Sequence, residues 1–243
     1  MKYKYIAAAI VCVLTFSSCG DSSQDAKSKT PSAENEPSRL SDALAQAPDE
    51  EKAYLLCAVA IAGNAEGLSK LLKEGINPNM KFEGVTPLMA ACVQGHDSCV
   101  KILLEHGADV NARGDDDMTA LGLAAVNGRS QCVKLLLAAG ANVNERYEDK
   151  QSTPLMYACS SGHVECAKIL IQAGADVSAR GVHGLSVLMH TCFKGKAECV
   201  RVLIQAGANV HARADNGMTA LDIAVRRGEL DCAKLLRAAG AIE

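Results

Sequence analysis

Residues 86–107 read TPLMAACVQGHDSCVKILLEHG, and the whole chain is built from variants of this stretch. It returns as residues 119–140, 153–174, 186–207 and 219–240, so successive starts are 33, 34, 33 and 33 residues apart. A fixed period in that range is the mark of a stacked-repeat protein, in which no single unit can bury its own apolar side.

Each copy spells out the same local structure. Thr86, Thr119, Thr153, Ser186 and Thr219 stand where a side-chain oxygen can cap a helix. Pro87 and Pro154 follow at the first helical position, where a missing N–H costs nothing. Leu88, Leu121, Leu155, Leu188 and Leu221 then point inward, and a glycine such as Gly95 or Gly162 supplies a tight turn. A second helix carries Leu103-Leu104 or Leu136-Leu137 and stops at a glycine such as Gly107. The spacing therefore predicts a helical hairpin per unit, with turn formers such as Asp215-Asn216-Gly217 making an extended loop to the next.

Thr86-Pro87-Leu88, Gly95-His96, Leu103-Leu104, Gly107-Ala108-Asp109-Val110-Asn111 and Thr153-Pro154-Leu155 resemble the ankyrin repeat. The resemblance covers residues 50–243 and six units, two of them atypical ends. It implies an all-α repeat solenoid of stacked helix-turn-helix units joined by β-hairpin-like loops. One departure concerns the position after the first-helix leucine, often His in that family. Here Met89, Gly122, Met156, Met189 and Asp222 occupy it, so the hydrogen-bond network of that His is expected to be missing.

The N-terminus reads differently. Lys2 and Lys4, an uncharged apolar run over residues 6–16 and then Ser17-Ser18-Cys19 have the order of a secretory leader. The run is shorter than the ~20 residues a membrane-spanning helix needs. Cysteine after two small residues resembles the bacterial lipoprotein box, which implies lipidation of Cys19; Phe16 departs from the leucine usual in that box. Cleavage to a soluble exported product is the alternative. The expected organisation is a leader over 1–18, Cys19 with a polar tether over 19–39, and a cap with a first atypical repeat over 40–81. Four internal repeats over 82–212 and a C-terminal capping repeat over 213–243 follow. The tether is too polar to offset the entropy of ordering it. By resemblance, Gly20 after the cysteine leans toward the outer rather than the inner membrane.

Composition narrows function more by exclusion. The net charge is −3, and −5 once a cleaved leader removes Lys2 and Lys4, which leaves no basic excess for nucleic acid. No nucleophile motif, phosphate loop, dinucleotide fingerprint or zinc-protease pattern occurs, and no cofactor is implied. Asp115-Asp116-Asp117 invites a calcium reading, but three consecutive loop carboxylates are ordinarily just solvated. His190 stands two places from Cys192 without an orienting third group.

The chain has 11 cysteines. Three units fill both a first-helix and a second-helix slot, giving Cys92 with Cys99, Cys159 with Cys166, and Cys192 with Cys199. Each pair brackets the hairpin turn, a geometry a disulfide can close if the Cα atoms come within about 7 Å. Plain packing of a small apolar side chain and, for Cys92-His96-Cys99 and Cys159-His163-Cys166, metal binding are the other readings. Cys57, Cys132 and Cys232 have no partner in their own unit.

By resemblance to ankyrin proteins, a monomer would meet an unidentified protein partner on its concave side, with a lipid as its only membrane contact. The loops would offer Asp115, Asp116, Met118, Tyr147, Glu148, Val182, His183, Leu185, Asp215, Asn216 and Met218. The first-helix ends would add Phe193, Lys194, Arg226 and Arg227. Tyr147, at the tip of a loop one residue longer than its neighbours, and Phe193 are the expected anchors, since aromatics bring much contact area at little entropic cost. The expected function is a non-catalytic interaction module of the bacterial cell envelope. A structural envelope component and an accessory to a periplasmic oxidative-stress enzyme are the alternatives.

Overall fold

The computed structural model describes residues 43–147 and 151–242. Cys19 and Glu148 lie outside them. The described residues form six helix pairs: α1 (Asp49–Ile61) with α2 (Ala65–Lys73), α3 (Pro87–Gln94) with α4 (Asp97–Glu105), and α5 (Ala120–Val126) with α6 (Ser130–Ala138). Then follow α7 (Pro154–Ser161) with α8 (Val164–Gln172), α9 (Val187–Phe193) with α10 (Ala197–Gln205), and α11 (Ala220–Arg227) with α12 (Leu230–Ala238).

First helices pack on first helices and second helices on second helices, in chain order, so the molecule is an all-α solenoid two helices deep. The expected loop hairpins are present only as isolated antiparallel bridges, such as Arg113 with Thr119 and Arg180 with Ser186.

The sequence signals act where expected. Thr86, Thr119, Thr153, Ser186 and Thr219 each accept a hydrogen bond from the N–H three residues on, at 3.2–3.3 Å. Gly95 and Gly162 turn the hairpin with φ of 84° and 86°, which a side chain would resist. Pro48 precedes α1 rather than entering its first turn, so the acidic first turn itself, Asp49 to Glu51, starts that helix.

A single apolar core runs the length of the stack, from Leu56 through Leu103, Leu136, Leu170 and Leu203 to Leu236, all fully buried. The final unit is less polar than its arginines suggest: Val225 is 47% and Leu230 71% exposed.

Three polar ladders cross from unit to unit. Asn79 donates to Gly107 O at 3.2 Å and accepts from Asp109 N–H at 2.7 Å. Asn111 repeats this with Gly140 O and Asn142 N–H, and Asn144 with Gly174 O and Asp176 N–H. Each of these asparagines closes the C-terminus of the next unit's second helix. At the hairpin turns, His96 Nε2 reaches Ile61 O, Arg129 Nε reaches Val93 O, and His163 Nε2 reaches Val126 O, at 2.9–3.0 Å. Along the loops Arg113 donates to Arg146 O, Arg146 to Arg180 O, and Arg180 to Arg213 O.

Candidate partner-binding surface

The loops and the ends of the first helices share one side of the stack. Loop tips are tied in pairs: Asp115 N–H donates to Gly84 O at 3.2 Å, and Asp215 N–H to His183 O at 3.1 Å. Asp115, Asp116, Asp215 and Asn216 are exposed, with Met118 and Met218 half-buried behind them. Asp116 Oδ1 accepts from Met118 N–H and Asp117 pairs with Arg113, so the three aspartates do not converge on one point. Val182 and His183 form a 3₁₀ turn over Val182–Gly184 and are exposed, while Leu185 is half-buried.

Tyr147 overturns an expectation. It is not a protruding anchor but a core residue, 1% exposed, whose hydroxyl shares a 2.8 Å hydrogen bond with Thr119 Oγ1. Burial pushes its phenol pKa up. The cause is Gly122. In neighbouring units the equivalent slot holds a buried methionine, Met89, Met156 or Met189. Here it holds no side chain, and a Cβ built on Gly122 would come within 2.5 Å of the Tyr147 hydroxyl. The ring from the next unit's loop fills the hole. A glycine in that slot, one unit before an added loop residue, was the signal in the sequence.

Phe193 lies at the surface. It is 43% exposed at the end of α9, and the Arg227 guanidinium from the next unit sits 4.4 Å from its ring centre. Beside it a groove of about 630 Å³ opens between α7 and α9, lined by Val126, Tyr157, Leu185, His190, Phe193 and Lys194 among others. Lys196 adds a second lysine, and among the described residues no carboxylate lines the groove. At its floor His190 Nδ1 is buried without a partner. Burial pulls the His190 pKa down, an effect opposed by the backbone carbonyls of Ser186 and Leu185. Sequence reasoning named His190 only for its proximity to Cys192 and did not place it in the groove.

The nine cysteines of the repeats are buried free thiols. Their contacts do not follow the expected same-unit pairs. The neighbouring thiol of Cys92 is Cys132, that of Cys159 is Cys199, and that of Cys192 is Cys232, each a first-helix thiol facing the second helix of the next unit. Cys132 Sγ in turn donates to Asp97 Oδ1 at 3.1 Å, and Cys57 Sγ to Val85 O at 3.5 Å. His96 and His163, offered as metal ligands, are engaged by the carbonyls described above.

The family model for ankyrin repeats in three copies matches residues 33–114, 112–181 and 177–242. The chain belongs to the ankyrin-repeat family. Among curated proteins it is similar to an ankyrin repeat-containing protein, P1E11.10, of Schizosaccharomyces pombe, with 43% identity over 60 residues. It is also similar to potassium channel AKT2/3 of Arabidopsis thaliana, with 41% identity over 59 residues. These matches take in 24% of this chain and only 29% and 7% of the two relatives. Ankyrin repeats are protein–protein interaction modules and are generally not catalysts. Among the described residues of this ankyrin protein no helix is long and apolar enough to cross a membrane.

Proposed function

We propose that this ankyrin-repeat chain is a non-catalytic docking module of a bacterial cell envelope, held by lipid at Cys19, that grips a protein partner along its concave first-helix side. The leader, the small residues before Cys19 and the polar tether support the location. The groove beside Phe193 carries the binding part of the reading. An exposed aromatic backed by an arginine, next to a concave space with two lysines and, among the described residues, no acid, suits an acidic segment bearing an apolar side chain. The exposed tips Asp115, Asp116, Asp215 and Asn216 then flank the contact and orient the partner.

Site-specific photo-cross-linking in the native host tests it. A cross-linker at Phe193 is expected to trap one discrete protein, and one at Lys134 on the exposed second-helix side to trap none. Equal labelling from both positions, or none from either, favours the purely structural envelope role.

A further inference from the structure

We propose that Cys92 with Cys132, Cys159 with Cys199, and Cys192 with Cys232 are three disulfide sites that staple each repeat to the next. The geometry has one rule behind it. In all three pairs the partners are 40 residues apart in sequence, one repeat plus the hairpin, and sit on a first helix and on the second helix of the following unit. Both thiols of each pair are 0–1% exposed and are neighbours in the core, and the helices carrying Cys159 and Cys199 pack on each other. Every full unit has the second-helix cysteine, but the first-helix slots facing Cys99 and Cys166 hold Ala60 and Ala125. Cys99 and Cys166 therefore face no first-helix thiol, and the staples form only where both slots are filled.

Each link balances as a thiol–disulfide exchange with an organic disulfide. A Cys199 thiolate attacks one sulfur of that disulfide, forming a mixed disulfide and releasing one thiol. Cys159, after losing its own proton, attacks the Cys199 sulfur, forms the protein disulfide and releases the second thiol. Two electrons pass from the protein thiols to the organic disulfide. Because the sulfurs are buried, exchange proceeds while units open or as the chain folds, and native packing then selects the pairs.

Refolding the full chain in a mixture of reduced and oxidised glutathione, followed by alkylation in denaturant and peptide mapping, tests this. The expected links are Cys92–Cys132, Cys159–Cys199 and Cys192–Cys232, with Cys57, Cys99 and Cys166 remaining alkylated. The oxidised protein is expected to melt about 10 °C or more above the reduced one, since each link closes a loop of roughly 40 residues. Cys159→Ala is expected to leave Cys199 as a free thiol without moving its link to Cys166. Same-unit links such as Cys92–Cys99, scrambled links, or folded protein with all repeat thiols still alkylated would overturn the proposal.

Discussion

The two halves of the stack are joined differently. Up to Asn144 and His163, each junction is stitched at both ends, by an asparagine reaching the next unit's second helix and by a basic side chain reaching back across the turn. Beyond them these two stitches lapse, while the arginine ladder runs on from Arg180 to Arg213 O. Ser178 replaces the asparagine and bonds only within its own loop, to Asp176, while Lys196 and Glu229 stand at the turn positions that carry His96, Arg129 and His163 earlier in the chain. A cavity of about 210 Å³ bordered by Ser178, Leu188, Ala208 and Asn209 opens where the missing amide would reach. The groove with Phe193 and His190 straddles this change: Val126, on its lining, accepts from His163 through its carbonyl, while Phe193 and Lys196 belong to the first junction without such stitches.

The strongest way to break this contrast is at Tyr147, the residue that seals the stitched half. Tyr147→Ala removes a fully buried ring and its bond to Thr119, and is expected to cost about 3–5 kcal/mol in urea unfolding. Gly122→Met alone should also destabilise, because its side chain meets the ring. Combining the two restores the methionine of neighbouring units and should recover at least half of the summed loss, since the residues share one space. Additive losses would mean that Tyr147 is held by something other than the hole at Gly122.

The period, the caps and the turns were legible because they are local: a threonine, a proline or a glycine declares its role within three residues. Phe193 was legible as the large apolar residue on a first-helix end. Tyr147 and the thiol pairs were not, because each depends on which side chain is missing or present one unit away. Gly122 matters through a loop 25 residues later, and Cys132 lacks a partner only while its own unit is searched. The partner slot is 40 residues back, a distance that becomes meaningful once two helices of successive units are known to touch.

A smaller effect sharpens the comparison from the other side. Asn111→Ala deletes two inter-unit hydrogen bonds and should cost about 1–2 kcal/mol. Ser178→Ala, which touches no neighbouring unit through its side chain, should stay within about 0.5 kcal/mol. The reverse change, Ser178→Asn, is expected to reach Gly207 O and Asn209 N–H as Asn144 reaches its own pair. It should raise stability by about 0.5–1.5 kcal/mol. Equal costs for Asn111→Ala and Ser178→Ala would erase the distinction between the halves.

The smallest effect is a pH dependence confined to the groove. The His190 pKa is depressed in the folded chain, chiefly by burial and also by the charge on Lys194, so folding favours the neutral ring. Between the folded pKa and the ordinary value near 6.5 the unfolded chain binds the extra proton. The contribution of His190 is therefore complete above about pH 6.5 and is lost as pH falls through that value toward the folded pKa. His190→Gln should flatten the change in urea midpoint between pH 7.5 and 5.5, leaving the slope set by other groups. If instead the midpoint of the variant falls as steeply as that of the parent, His190 does not sit neutral in the groove. The groove floor would then be wetter than its buried, unpartnered Nδ1 implies.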